Sequence, residues 1–228
     1  MTDNKTVELT NKERFIALVK SINREGFRKD ALLEVLENSD FYSAPASTFD
    51  YYSYNRAEGL LDHSLAMYDY LSELLKTIPL LASRYSEDTI KIVSLFHDVS
   101  KINYFETYIK NVKVYSETGS KYDEIGRFDW KSERSYKVKD DAFRIGTSGE
   151  TSVAILHNYI PLSMEETCAI ANHEGIYGNP KLQWTQIVKR YPLTQILESA
   201  HSISTLVIEP NIDAVEEVEI EETEETNE

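Results

Sequence analysis

Apolar residues recur at helical spacing along most of this chain, and that periodicity limits the fold more than any other feature of the sequence. Residues 11–38 carry two periodic stretches separated at Gly26, which predicts two short helices. Residues 60–78 carry a longer stretch, whose inward-facing positions are Leu60, His63, Met67, Leu71 and Leu74. The same spacing returns late in the chain in ETSVAILHNYI, SMEETCAIANHEG and YPLTQILESAHSISTLVI. We therefore predict a mainly α protein, built as a bundle of helices.

Residues 104–145 differ from the rest of the chain. They are rich in Tyr, Lys, Ser and Gly, and they contain short segments in which polar and apolar residues alternate, with turn residues between them. Alternation with a period of two is typical of a strand. We expect a small β-hairpin excursion here, inserted between the helices.

The negative charge of the chain is concentrated at its C-terminal end. The net charge is -15, and residues 209–228 contain ten acidic residues and no Lys or Arg, which leaves about -5 on residues 1–208. A block of like charges with few apolar residues does not bury enough surface to fold, so we predict a disordered tail. A solubilising role for this tail is favoured over an acidic interaction motif.

The distribution of charge also bears on partners. Neither part of the chain has the basic stripe that follows a nucleic-acid backbone, which argues against non-specific binding of long polynucleotides. A nucleotide or a short oligonucleotide stays open as a partner. The oligomeric state is also left open.

Three features of the sequence favour a cytoplasmic protein. The N-terminal sequence MTDNKTVELTNKER is polar and mixed in charge, unlike a signal or transit peptide. No apolar run approaches the length of a membrane span, so we expect no membrane partner. The single cysteine, Cys168, forms no internal disulfide, which fits a reducing compartment.

The stretch IVSLFHDVSK, residues 92–101, places His97 and Asp98 side by side in an otherwise apolar segment. Ser86 is a suitable N-cap with acids after it in the first turn, so we expect the pair late in a helix that packs on the core. Charged groups are rarely buried unless they are paired or bind a metal ion. The pair is therefore a candidate for metal binding.

Three further histidines, His63, His173 and His201, lie in segments predicted to face the core. A buried histidine taken alone is more often a packed, hydrogen-bonded residue than a ligand. One shared metal ion would compensate the cost of burying several of them together. The whole set, rather than any single histidine, is a candidate for a metal site.

Five segments carry, in this order, a resemblance to a known superfamily: GLLDHS, FHDVSK, GETSVAIL, EETCAIANHEG and ESAHSIST. The set resembles the HD-domain superfamily of metal-dependent phosphohydrolases, above all its single-domain bacterial and phage members and the HD module of some bacterial 3′ exoribonucleases. The resemblance spans roughly residues 45–206. It implies an HD-domain helical bundle, in which one His, a His-Asp pair and a late Asp hold a divalent metal ion that activates water against a phosphoester.

The resemblance assigns roles position by position. His63 matches the first ligand, and His97 with Asp98 matches the pair. Lys101 matches the lysine of the HDxGK pattern of the superfamily, although Ser100 replaces the usual glycine of that pattern. His173 matches a histidine that holds a second metal ion in some members.

Two departures from the pattern change the expected centre. Ser148, in TSGE, stands where the usual GHGE has a histidine for a second metal ion, and His201 stands at the position of the late Asp. The resemblance then implies a single divalent ion held by His63, His97, Asp98 and His201. Three imidazoles and one carboxylate suit Zn²⁺, Fe²⁺, Co²⁺, Ni²⁺ or Mn²⁺ better than Mg²⁺. The fifth histidine, His157, matches no ligand position, and we interpret it as structural.

The expected activity is hydrolysis of a nucleotide or short oligonucleotide phosphoester. Asp98 is expected to be both ligand and water-orienting group, and Lys101 to bind the phosphate charge. His173 is expected to contact phosphate or to protonate the leaving oxygen. Arg56 and Ser148 are further candidates for substrate binding. For Arg56 an exposed loop arginine is the simpler interpretation.

A second interpretation is that the chain keeps the HD fold with a degenerate centre and binds a nucleotide or a protein in a regulatory role. The changes at Ser100, Ser148 and His201 favour it. In either case we predict N-terminal helices in residues 1–44 that pack on the core, an HD domain over residues 45–208 and the acidic tail after it.

Overall fold

The fold is that of a computed structural model, which describes residues 9–49, 52–115, 128–175 and 181–208. Within these residues the chain forms nine α-helices and one two-stranded sheet, so the prediction of a mainly α protein is confirmed. The elements are α1 Asn11–Ser21, α2 Lys29–Glu37, α3 Gly59–Thr77, α4 Pro79–Arg84, α5 Glu87–Phe96, β1 Phe105–Tyr115, β2 Phe128–Val138, α6 Ser148–Leu156, α7 Met164–Ala171, α8 Lys181–Arg190 and α9 Leu193–Ile203.

Side-chain caps fix where several helices begin. The Ser163 hydroxyl accepts a hydrogen bond from the Glu166 amide, and the Glu166 carboxylate accepts one from the Ser163 amide, which completes a capping box at α7. The same arrangement joins Thr147 and Glu150 at α6. Ser86 caps α5, as its sequence context predicts. These caps fix the residues at which α5, α6 and α7 begin.

The core lies between the long helix α3 and the helices that surround it. Helix α3 packs on α5, and α6, α7 and α9 pack side by side against them. Three fully buried rings join the N-terminal helices to this core, since the Phe15 ring lies 5.0 Å from the Phe41 ring and 6.0 Å from the Phe96 ring. Burial of these rings ties the residues before α3 to the core.

Strands β1 and β2 form the predicted hairpin. They pair antiparallel from Phe105 opposite Val138 to Tyr115 opposite Phe128. Phe105, at the base, is buried, but most other side chains of both strands are exposed. The hairpin therefore projects from the helical core, and its base lies directly after the segment that carries His97 and Asp98.

The structure differs from the sequence-based expectation in three places. Helices α4 and α8 were not predicted, and His97 and Asp98 do not lie within α5, because this helix ends at Phe96. Asp98 instead precedes a short 3₁₀ turn, Val99–Lys101. Among the described residues, no helix combines the length and the apolar character needed to cross a membrane. The predicted acidic tail, 209–228, lies outside the described residues.

Candidate metal centre

Four side chains that are distant in sequence meet at one point between the helices. His63 comes from α3, His97 and Asp98 from the end of α5, and His201 from α9. Their candidate ligand atoms all lie within 4.8 Å of one another. His63, His97 and Asp98 are at most 1% exposed, and His201 is partly exposed. The chain thus brings together the four ligands that the sequence predicts.

The distances between these atoms resemble those between ligands of one ion. The Nε2 atoms of His63 and His97 are 3.0 Å apart, and each lies 3.5 Å from Oδ2 of Asp98. Metal–ligand bonds of about 2.0–2.2 Å place neighbouring tetrahedral ligands about 3.3 Å apart. The donor set, three imidazoles and one carboxylate, also suits a divalent transition metal. These residues therefore fit a divalent metal ion.

Backbone carbonyls orient two of the rings. The Nδ1 atom of His97 lies 2.8 Å from the Ser94 carbonyl, and that of His173 lies 2.8 Å from the Ile170 carbonyl. Both carbonyls belong to the last turn of a helix, where they lack a partner within the helix. A proton on Nδ1 of each ring is donated to its carbonyl, which directs Nε2 of the ring at the cluster.

His173 joins the cluster as a fifth member. Its side chain is 1% exposed, and its ring centroid lies 4.9 Å from those of both His97 and His201. Its Nε2 atom lies 3.4 Å from Oδ1 of Asp98 without a well-formed hydrogen bond. The two oxygens of Asp98 therefore face different imidazoles, Oδ2 toward His63 and His97 and Oδ1 toward His173.

Lys101 provides the positive charge nearest to Asp98. Its Nζ donates to Oδ2 of Asp98 and to the Ala46 carbonyl, both at 2.7 Å. Burial alone would raise the pKa of the Asp98 carboxyl, but the Lys101 ammonium and the His97 ring outweigh burial and lower the pKa well below its usual value. Asp98 is therefore a carboxylate at any pH near neutrality, which is the form that binds metal.

The imidazoles differ in their affinity for a proton. Burial lowers the pKa of His97 well below its usual value, against the opposing effect of Asp98. Burial, with repulsion from the neighbouring His173 and His97, also lowers the pKa of His201. Burial lowers the pKa of His173 too, but contact with Asp98 outweighs it, so this pKa is raised. His97 and His201 are thus held neutral, as ligands must be, whereas His173 more readily carries a proton.

Three serines connect Asp98 to α6. The Ser100 amide donates to the Ser152 hydroxyl at 3.1 Å, and the Ser100 and Ser148 hydroxyls are 2.8 Å apart. The Ser148 hydroxyl in turn lies 3.4 Å from Oδ1 of Asp98. Two of the three residues that depart from the superfamily pattern, Ser100 and Ser148, therefore contact each other, and the Ser148 hydroxyl lies beside Oδ1 of Asp98.

Two residues considered from sequence lie apart from the cluster. Arg56 pairs with Asp62 and lies over the Tyr54 ring, with 49% of its side chain exposed. It lines neither of the cavities described next, so substrate binding by Arg56 stays a prediction. His157 is exposed at the end of α6 and is not a member of the cluster.

Two adjoining cavities open next to the cluster. The first, which we call the metal-side cavity, has a volume of about 160 Å³ and is lined by His63, His201, Tyr52, Tyr54 and Thr205, among others. The second, which we call the distal cavity, has a volume of about 210 Å³ and contains Ser148 and Arg144 in its wall. Lys101 and Glu174 line both. His173 lines neither, because its ring is buried behind Asp98, whereas the sequence led us to expect it to face the cleft.

Sequence reasoning missed Arg144 and Glu174. Glu174 directly follows His173, but an acid beside a candidate ligand has no distinctive pattern. Arg144 lies in the segment after the hairpin, where the chain has no helical periodicity. Only the packing of that segment against the 3₁₀ turn reveals its position.

Comparisons with protein families, curated proteins and solved structures found no match to this chain.

Proposed function

We propose that this chain is a metal-dependent phosphohydrolase of the HD type, which hydrolyses a phosphoester of a nucleotide or a short oligonucleotide. One observation carries the proposal: four ligand-type side chains converge within 4.8 Å beside a lysine and two cavities. The resemblance of the ordered motifs to the HD-domain superfamily supports the reaction type. Catalysis by a single ion is favoured, because Ser148 supplies only a hydroxyl where a second ion would need an imidazole.

His63, His97, Asp98 and His201 would hold the ion. Its contribution, when bound, is Lewis acidity, which polarises a phosphoryl oxygen and lowers the pKa of water. Imidazole ligands favour Zn²⁺, Fe²⁺, Co²⁺, Ni²⁺ or Mn²⁺ over Mg²⁺. The low pKa values of Asp98, His97 and His201 mean that no proton has to be displaced from these ligands near neutral pH.

Lys101 has two roles in this proposal. Its bond to Asp98 fixes the carboxylate, and a carboxylate oxygen has a second lone pair, so Lys101 and an ion can both contact Oδ2. The ammonium has three donors, of which two are used by Asp98 and Ala46. The third is available to a phosphate oxygen in either cavity.

The remaining residues complete the hydrolysis. Water supplies the oxygen of the new bond to phosphorus, the bond to the leaving oxygen breaks, and one proton of that water ends on the leaving oxygen. Asp98 orients the water, while His173 holds Oδ1 of Asp98 from behind. The raised pKa of His173 suits a proton carrier, but its ring lines neither cavity, so transfer of its proton to the leaving oxygen stays a prediction from the sequence alone.

A regulatory protein with the same fold is the second candidate. The specific observation in its favour is the ion pair between Lys101 and Asp98, because the ammonium already neutralises the buried carboxylate. In this case the cavities would bind a nucleotide or a protein segment without hydrolysing it.

Metal content and hydrolysis, measured on the same preparation, distinguish the enzyme from the regulatory protein. Protein purified without chelator should contain one transition metal ion per chain and hydrolyse bis(p-nitrophenyl) phosphate. Asp98→Ala should lose both properties, and Asp140→Ala, which removes an exposed carboxylate after β2, should keep both. Metal binding without hydrolysis of this ester or of any nucleotide would favour the regulatory protein, and absence of metal from wild type would refute the enzyme.

A further inference from the structure

The distal cavity adjoins the metal-side cavity. The two cavities share Lys101, Glu174 and the loop that carries Ala46, Ser47 and Phe49. Lys101 contacts Asp98 directly, so the boundary between the cavities lies at the cluster itself. A group bound in the distal cavity is therefore a neighbour of the group that reacts.

Arg144 presents a fixed cation to the distal cavity. Its Nη1 donates to the Tyr104 hydroxyl at 2.7 Å and its Nε donates to the Gly146 carbonyl at 3.1 Å. The guanidinium also lies over the Tyr104 ring, 5.8 Å from its centroid. No carboxylate in the described part of the chain pairs with Arg144, and its Nη2 keeps both protons for a ligand.

The charges around the distal cavity favour an anion. Arg144 and Lys101 are cationic, and Glu174 is the one acid that lines the distal cavity among the described residues. Glu174 and Arg144 are both exposed, so water screens both charges, whereas Lys101 is largely buried and acts through a medium of lower dielectric. Hydroxyls of Ser47 and Thr48 provide further donors.

The guanidinium group of Arg144 indicates which kind of anion suits the distal cavity. A planar guanidinium with free donors matches the oxygens of a phosphate, and such bonds are stronger than those between neutral groups. The wall also contains three apolar side chains, Phe49, Phe105 and Phe143, of which only Phe105 is buried. A second phosphate, one linkage away from the reacting one, suits this position better than a neutral group.

We propose that the distal cavity binds a second phosphate group of the substrate, and that Arg144 selects for substrates that carry two linked phosphates. This inference rests on the proposed function, in which the reacting phosphate binds at the candidate metal centre. The substrate class is then narrowed to phosphoanhydrides and to oligonucleotides with a phosphate next to the reacting one. Simple monoesters lack the group that Arg144 binds.

The test compares the binding of inorganic phosphate and pyrophosphate to the metal-loaded full chain by calorimetry, with metal content checked afterwards. Wild type should bind pyrophosphate at least about tenfold more tightly than phosphate, the range expected from charge-assisted hydrogen bonds. Arg144→Gln should bring the two affinities within about twofold, and Arg144→Lys should give an intermediate ratio. Arg134→Gln, which removes an exposed arginine of β2, should keep the wild-type ratio.

Two results would overturn the inference: equal affinities in wild type, or a ratio that survives in Arg144→Gln. The second result would mean that pyrophosphate is selected by the metal alone. The protein could also bind pyrophosphate selectively through Arg144 and yet hydrolyse nothing. This result would support the distal site and refute the enzyme. Hydrolysis of bis(p-nitrophenyl) phosphate without selectivity for pyrophosphate would refute the distal site and leave the enzyme standing.

Discussion

The Nε2 atoms of His63 and His97 lie 3.0 Å apart in a buried position, although the two residues are separated by 34 positions in the chain. Because the Nδ1 proton of His97 is used by the Ser94 carbonyl, Nε2 of His97 has a lone pair and no proton. Either a hydrogen bond from Nε2 of His63 or a metal ion bound between the two rings satisfies both nitrogens, and the proposed function uses the ion.

Removing His63 should therefore weaken metal binding. His63→Ala leaves three of the four ligands, and we expect the affinity for Zn²⁺ to fall by about 100-fold or more, since loss of outer-shell partners alone costs 10–100-fold. The metal-dependent rise in melting temperature should disappear with it. His157→Ala is the matched control, because that histidine is exposed at the end of α6. Equal metal affinity in both variants would contradict the assignment of His63.

Replacing His201 should change which metal is preferred. His201→Asp restores a second carboxylate and makes the ligand set harder and more negative, so preference should shift toward Mn²⁺ and Mg²⁺. Competition between Zn²⁺ and Mn²⁺, followed by metal analysis, measures the shift. His157→Asp introduces the same charge change on an exposed residue and should leave the preference unchanged. If His201→Asp also leaves it unchanged, His201 is not a ligand.

The parts of the fold that follow from local rules were predictable from the sequence. Helical periodicity indicated α3, α5, α6, α7 and α9, and the Ser163–Glu166 capping box and the Ser86 cap were visible as residue patterns. These signals depend only on residues a few positions apart. The candidate ligands came instead from the resemblance of five ordered motifs to a known superfamily.

The parts that depend on contacts between distant segments were not predictable. The carbonyls of Ser94 and Ile170 orient two rings only because α5 and α7 end where they do. The Ser100–Ser148 contact and the position of Arg144 arise from the packing of α6 and the segment before it against the 3₁₀ turn. His173 matched a ligand position in the sequence, yet only the structure shows that its ring is buried behind Asp98 rather than open to the cavities.

Ser148 can be used to build a second metal site. Its hydroxyl lies 3.4 Å from Oδ1 of Asp98, and Nε2 of His173 lies at the same distance from that oxygen. An imidazole in Ser148→His would join His173 and Oδ1 as a third donor, so the metal content should rise from one to two ions per chain. Ser148→Asn, which adds bulk without an imidazole, should stay at one. An unchanged content in Ser148→His would mean that Oδ1 of Asp98 is not accessible to an ion.

The ion pair between Arg24 and Glu166 should contribute to stability in a pH-dependent way. Burial raises the pKa of Glu166, but hydrogen bonds from Arg24 and from the Ser163 amide outweigh burial, so the pKa is lowered in the folded state. The contribution is then complete above the usual value of 4.5 and is lost as the pH falls through the folded-state pKa. Acid should weaken this link between the N-terminal helices and α7.

Glu166→Gln tests this link through the free energy of unfolding, measured with urea from pH 3 to pH 7. We expect a loss of about 2 kcal/mol at pH 7, below the usual 3–5 kcal/mol for a broken buried pair, since Arg24 still reaches water. The dependence on pH below 4.5 should become flatter. Glu37→Gln breaks the exposed pair with Lys12 and should change stability by no more than about 0.5 kcal/mol. Equal effects of the two variants would contradict a special role for Glu166.

Gly149 holds α6 close to α7, and a side chain there should disturb both stability and the metal centre. A Cβ at this position would overlap the carbonyl oxygen of Ile170 and lie 2.6 Å from that of Ala171. Both are backbone atoms, so Gly149→Ala has to separate the two helices, at a cost of about 1–3 kcal/mol. This separation moves Ser148 and the Ile170 carbonyl, and with them Asp98 and His173, so metal affinity should fall together with the melting temperature.

Ala154→Gly, on the same helix, should lower the melting temperature through helix propensity alone and leave metal affinity unchanged. Calorimetry and a metal titration on both variants check the expectation, which fails if Gly149→Ala binds metal as tightly as wild type.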